Sequence, residues 1–132
     1  MPPLSRGVTA VPLDSSADDW LGKAREDLQV ASHLIAGGHW AAAAFHAQQA
    51  AEKALKAVVI HRSRSLERTH DLVRLANAAK ASAAVTDHAT FLTDFYVSAR
   101  YPDVGGGVTA QDSDEALGRA AEVVRWASTQ VS

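Results

Sequence analysis

The segment Ala42–Ala57, AAAFHAQQAAEKALKA, decides the fold of this 132-residue chain. Alanine dominates the segment, and alanine has no side-chain entropy to lose when a helix forms, so the composition alone predicts an α-helix. Residues three or four positions apart share one face of a helix, which places Gln49, Lys53 and Lys56 in one line. The sequence on either side of this segment predicts the remaining helices and the candidate site.

The two sides of this helix differ in chemistry. Gln48 and Glu52 form a second polar pair beside the first line, at the same spacing. The opposite side carries small and aliphatic residues: Ala47, Ala51, Leu55 and Val58. Small side chains there would let a second helix approach closely. The polar side would then present amides and cations in a fixed array.

The flanking sequence predicts two long antiparallel helices. Helix one starts at Ser15 or Ser16, which can cap its first turn, and ends at Gly37 and Gly38. Because the link is short, helix two, from about Trp40 to His61, must turn back along helix one. Residues 1–15 contain three prolines and no helical period, and they predict a flexible arm.

The C-terminal half predicts three more helices. Thr69 caps a short third helix, and a fourth begins near Thr86 and ends before Pro102. Thr109 followed by Asp112 resembles a capping box, so helix five runs from there to about Gln130. No segment shows strand-like alternation. We therefore predict an all-α, up-and-down antiparallel bundle of four long helices plus one short helix, formed by residues 16–132.

Composition limits the class of protein. Apolar residues make up 47 % and charged residues 21 %, as in ordinary globular domains, and the length suits one domain. No apolar run approaches the roughly 20 residues that cross a bilayer, and no secretory signal is apparent. The chain has no cysteine, which excludes disulfides and thiolate sites. We expect a cytoplasmic protein without membrane contact.

Charge is distributed unevenly along the chain. The overall net charge is −2, yet the segment from Lys53 to Lys80 holds seven basic and two acidic residues, a local charge of +5. Such a strip attracts phosphate groups through its local field. The alternative interpretation is a solvated helix face followed by a basic loop.

Three motifs together resemble the HEPN family of small helical-bundle proteins. They are the AQQAAEKALKA core at Ala47–Ala57, the THDL start of the third helix at Thr69–Leu72, and the ARYPD ending of the fourth helix at Ala99–Asp103. They occur in the family's order and with similar spacing, and the resemblance extends from about Asp18 to the end of the chain. It implies a helical bundle.

The resemblance also bears on catalysis, because many HEPN proteins are metal-independent ribonucleases. Their motif is an arginine followed four to six positions later by a histidine, near the end of the fourth helix. Arg100 matches the arginine, but residues 101–107 contain no histidine. Without that imidazole, no evident group accepts the ribose 2′-hydroxyl proton. Arg64 and His70 have the right spacing in the wrong place, so we predict no catalytic residue.

The candidate ligand-binding residues for a phosphate or nucleotide come from helix two and the two other motifs. They are Gln49, Lys53, Lys56, His70, Arg100, Tyr101 and Asp103. Arginine binds phosphate through its planar fork, and histidine at a helix start can contact an anion. Structural alternatives are an Arg100–Asp103 pair that closes the helix end and a bond from His70 to a backbone carbonyl.

No metal or cofactor is expected, because the six histidines lack a metal-site spacing such as HExxH. The resemblance implies a binding and regulatory protein, one component of a toxin–antitoxin-like module whose partner is a minimal nucleotidyltransferase. We also expect a homodimer, because HEPN relatives commonly pair and because helices two and five offer more apolar face than one small bundle can bury. The basic strip is expected to bind a nucleotide or RNA weakly. Two alternatives stay open: a ribonuclease toxin that uses Arg100 with a displaced histidine, and an interaction scaffold without a ligand.

Overall fold

The computed structural model describes residues 16–64, 68–100 and 107–132, with the side chains of residues 96–100 excepted. These residues form five helices: α1 (Ala17–Ala36), α2 (Trp40–Ser63), α3 (Leu72–Ala78), α4 (Ala83–Arg100) and α5 (Ala110–Val131). No strand occurs in the described ranges. The predicted bundle of four long helices and one short helix is confirmed. The predicted arm, residues 1–15, lies outside the described residues.

Two helices begin with the caps that the sequence predicts. The Ser16 hydroxyl accepts from the Asp19 amide at 3.0 Å, and Asp19 accepts from the Ser16 amide at 3.1 Å. Thr109 and Asp112 exchange the same two bonds at 3.0 Å each. Each reciprocal pair satisfies amides that the first helical turn leaves unpaired.

Two other starts differ from the prediction. Asp71, not Thr69, is the N-cap of α3, because its carboxylate accepts from the Arg74 amide at 3.1 Å. Thr69 instead accepts from the Asp71 amide and supports that cap from outside the helix. Helix α4 begins three residues before Thr86, at Ala83, where the two alanines at positions 83 and 84 extend the helix.

The α1–α2 turn sets the antiparallel arrangement. Gly38 adopts a left-handed φ of 79°, which glycine tolerates without a Cβ clash. The His39 amide then donates to the Leu34 carbonyl at 2.8 Å and closes the end of α1. At the far end of α2, Arg62 donates to Gln130 of α5 at 2.7 Å, so α2 and α5 finish side by side.

Helix α2 lies at the centre of the bundle and contacts the four other helices. Seven of its alanines pack closely enough that they are almost fully buried: Ala43, Ala44, Ala47, Ala50, Ala51, Ala54 and Ala57. Leu55 and Val58 on the same helix are also inaccessible to solvent. The core consequently forms around all sides of α2 rather than along one stripe.

This packing changes the argument for a homodimer. We expected the apolar faces of α2 and α5 to exceed what one bundle can bury. Instead much of the apolar face of α5 is buried within the chain, including Ala116, Ala120 and Val123, while Leu117 and Val131 are half-buried. Val30 is the one large apolar side chain classed as exposed in the described residues. The described residues therefore give little exposed apolar area in support of a dimer, and the expectation depends on the family resemblance.

None of the helices in the described ranges has a stretch that is both long and apolar enough to span a lipid bilayer.

The close contacts of α2 make a direct prediction. We expect Ala47→Leu to lower the free energy of unfolding by about 1–3 kcal/mol, because the site has no space for added atoms. Ala42→Leu, at an exposed position of the same helix, is the matched control and should change it by less than about 0.5 kcal/mol. Urea denaturation measures both, and equal effects would contradict the close-packing argument.

Candidate functional site

A line of polar side chains interrupts the apolar core of α2. Gln48, Glu52 and Lys56 follow one another at four-residue spacing, and all three are buried. Buried polar and charged groups are costly unless they find partners. The partners of this line define the candidate site.

Glu52 holds the first of two ionic clusters. Its carboxylate accepts from Lys56 Nζ at 3.0 Å and from His70 Nδ1 at 3.0 Å. Lys56 Nζ also lies 5.5 Å from the centroid of the Trp20 ring on α1, within the range of a cation–π contact. Glu52 thus connects α2 to the residues just before α3, and Lys56 connects it to α1.

Asp27 of α1 holds the second cluster. One carboxylate oxygen accepts from Lys53 Nζ at 2.6 Å, and the other lies 3.2 Å from His46 Nδ1. Sequence reasoning missed both Asp27 and His46. The signal was available, since Asp27 lies on the α1 face that also carries the fully buried Ala24 and Ala31. A carboxylate in that line must be paired.

The amides on α2 pair with each other. Gln49 Nε2 donates to Gln48 Oε1 at 2.7 Å. Gln48 is fully buried, and its own Nε2 has no hydrogen-bond partner among the described residues. The cluster therefore contains one buried donor whose bonding capacity is unused.

Two adjoining cavities open along the α1–α2 edge. The larger, about 240 Å³, is lined by Asp19, Trp20, Lys23 and Lys53. The smaller, about 160 Å³, is lined by Lys23, Glu26, Asp27, Val30 and Lys53. Lys23 and Lys53 line both cavities, so these two lysines lie between the two spaces.

Two lysines of the predicted basic strip are locally neutralised. Lys53 is paired with Asp27 and Lys56 with Glu52, so these two positions contribute no net charge with their partners. The predicted line of Gln49, Lys53 and Lys56 is present on α2, but its members bond inside the fold. Because these charges are balanced, a ligand at this edge would be selected mainly by hydrogen-bond geometry and not by net charge.

The other predicted ligand-binding residues have separate outcomes. His70 bonds the Glu52 side chain through Nδ1, and its own side chain is 66 % exposed. The Arg100 side chain and the residues Tyr101 and Asp103 lie outside the described residues. Their grouping with Lys53 and His70 stays a prediction.

Over the ranges that the structure describes, no three histidine, aspartate or glutamate side chains are arranged to hold a metal ion.

Comparison with known proteins identifies the fold family. The HEPN domain family model matches residues 17–130. This chain belongs to the HEPN family. The crystal structure of TT1696 from Thermus thermophilus superimposes with a TM-score of 0.79 at 29 % identity, covering 86 % of this chain and 97 % of that one. No curated protein matches the chain.

A second similar structure carries the family name itself. ST0689, described as an archaeal HEPN homologue, superimposes with a TM-score of 0.77 at 31 % identity. The match covers 89 % of this chain and 99 % of ST0689. The whole HEPN fold is therefore present in this protein.

The Glu52 cluster of this HEPN protein predicts a stability effect. We expect Glu52→Gln to lower the free energy of unfolding by about 3–5 kcal/mol, because Lys56 would stay buried without a counter-charge. Glu122→Gln, at an exposed pair with Arg125 on α5, should cost less than about 1 kcal/mol.

A double variant separates lost charge pairing from lost packing. Glu52→Gln combined with Lys56→Met removes both buried charges and should recover much of the loss. Chemical denaturation measures all three variants. A double variant less stable than Glu52→Gln would show that the ion pair itself is not the cause.

Proposed function

We propose that this HEPN protein is a binding and regulatory component of a two-protein, toxin–antitoxin-like module. In this proposal it forms a homodimer, pairs with a nucleotidyltransferase, and binds a nucleotide or RNA at the polar edge of α2. It lacks ribonuclease activity of the arginine–histidine type. Family membership supports the general role, and the polar cluster supports a ligand.

The proposal rests on the burial of charged side chains at core positions that alanine or leucine could fill. Glu52, Lys56 and Asp27 are buried in a bundle whose other core positions are mostly small and apolar. Such arrangements rarely add stability compared with apolar packing, and they recur where a site must be preorganised. The paired lysines and histidines at one edge suit recognition of a polar ligand.

Ligand binding is tested by titration with ATP and a short unstructured RNA at several salt concentrations. We expect weak binding that declines with salt. Lys23→Ala should reduce the slope of log affinity against log salt by roughly 0.7 for RNA, because Lys23 lines both cavities and would provide a phosphate contact that is lost. Arg125→Ala, an exposed cation on α5, is the matched control. Absence of binding at low salt would remove the nucleotide part of the proposal.

The protein partners are tested by purification from the native host. We expect light scattering to give about twice the chain mass of 14.0 kDa, with a nucleotidyltransferase identified by mass analysis in the co-purified fraction. A monomer mass at micromolar concentration would contradict the homodimer. Recovery of the dimer alone, from cells that express a neighbouring nucleotidyltransferase, would contradict the pairing.

A second candidate function, a ribonuclease toxin, is favoured by one specific contact. Buried Glu52 accepts from His70 Nδ1, and a carboxylate in that position orients an imidazole for proton transfer. This candidate needs Arg100 to stabilise the phosphate charge while His70 accepts the proton. We place it second because His70 precedes α3, away from the family's histidine position.

We therefore expect no appreciable cleavage of unstructured RNA by the purified protein without added metal. The natural chain is compared with Arg100→Ala and His70→Ala, and products are resolved by gel electrophoresis. Arginine cannot accept a proton at neutral pH, so Arg100 alone should not support the reaction. Cleavage that either substitution abolishes would establish the ribonuclease candidate instead.

A further inference from the structure

Helix α3 depends on a small set of contacts to stay on the bundle. It has seven residues, and a helix of that length is not stable in isolation. Among the described residues it contacts α2 and α4 but neither α1 nor α5. Its buried side chains are Leu72, Leu75 and Ala76. The four long helices contact one another directly, so they do not need α3 to form a bundle.

The end of α3 carries a backbone strain. Lys80 has a φ of 54°, in the left-handed region, which costs a residue with a Cβ more than it costs glycine. The Ala81 amide donates to the Ala76 carbonyl at 2.9 Å across this residue, in an ending that usually contains glycine. The packed position of α3 therefore includes a conformational cost that is released when α3 leaves the bundle.

The imidazole of His70, just before α3, lies on a buried carboxylate of α2. Its Nδ1 is 3.0 Å from one carboxylate oxygen of Glu52 and 3.2 Å from the other. The Glu52 side chain is 4 % exposed and that of His70 is 66 % exposed. Moving the imidazole away would let water reach the Glu52–Lys56 pair, and hydration of the pair would offset part of the lost contact.

We propose that residues 68–80 form a flap that opens locally and exposes the Glu52–Lys56 pair of α2. The contact from His70 to Glu52 holds the flap closed, and the strained φ of Lys80 favours opening. The four long helices stay folded in the open form. The flap controls access to the first ionic cluster, which goes beyond the proposed function and does not depend on it.

Thiol labelling measures the opening, because the chain has no cysteine of its own. Ala76→Cys places a thiol on the buried side of α3, and Ala120→Cys places one at an equally buried position of α5. Each labelling rate is divided by the rate for the same variant unfolded in urea. We expect position 76 to react at least about ten-fold faster than position 120, because local opening costs less free energy than global unfolding. Equal rates would overturn the flap.

A substitution outside the flap separates local opening from global unfolding. Thr109→Ala removes the N-cap of α5, which stays folded in the open form. It should speed labelling at position 120 about five-fold and leave position 76 unchanged. Faster labelling at both positions would show that α3 opens only when the whole chain unfolds, and the proposal would be wrong.

Substitutions inside the flap should act in opposite directions on labelling at position 76. His70→Ala removes the contact with Glu52 and should speed labelling about three- to ten-fold. Lys80→Gly relieves the strained φ and should slow labelling about two- to five-fold. His33→Ala, at an exposed histidine of α1, is the matched control and should have no effect. An unchanged rate in His70→Ala would contradict the role of that contact.

Two measurements need no introduced cysteine. In hydrogen exchange of the natural chain, the Leu75 and Ala79 amides should depend less on denaturant than the amides of α5, because local opening exposes less surface. One shared dependence would contradict local opening. Carbodiimide should modify Glu52 more slowly in Lys80→Gly than in the natural chain, by the factor found at position 76. Unchanged modification would show that the flap does not control access to Glu52.

Discussion

The enclosure of α2 by the other helices is the constraint on which the rest of the structure depends. Short alanine side chains let neighbouring helix axes come close, so that almost no face of α2 between residues 50 and 60 reaches water. Dense packing leaves no room for larger side chains at positions such as Ala47 and Ala54. Any polar side chain on this part of α2 must then either bond a partner inside the fold or reach solvent along the narrow α1–α2 edge.

The ionic clusters are a consequence of that enclosure. Glu52 and Lys56 are one helical turn apart, and neither can reach bulk water without disrupting the packing. Their pairing avoids an isolated buried charge, although the desolvation cost limits any net stabilisation. Asp27 on α1 is also sheltered from solvent, and its carboxylate is paired with both Lys53 and His46. Pairing also holds these side chains in defined rotamers, as a binding site requires.

Charge pairing changes how a ligand would be recognised. A line of unpaired lysines would attract any polyanion, with little discrimination. At the α1–α2 edge each lysine on α2 has its own carboxylate, so the long-range attraction that these lysines exert is small and local hydrogen bonds would select a ligand. Two imidazoles, of His46 and His70, are oriented by carboxylates through Nδ1. In this HEPN protein, residues 101–107 after Arg100 contain no histidine, so the oriented imidazoles lie elsewhere in the fold.

Local features of the sequence predict the helices, and three motifs indicate the family. Alanine content, glycine at the α1–α2 turn and the capping boxes at Ser16 and Thr109 act within a few residues, so local rules suffice to predict them. Both Thr69 and Asp71 can cap α3, and intrinsic capping preferences do not tell which of the two residues does so.

The pairing of polar groups, by contrast, depends on how the helices pack. Asp27 and Lys53 are 26 positions apart and become neighbours because α1 and α2 pack antiparallel in one register, a long-range outcome that spacing along a single helix does not contain.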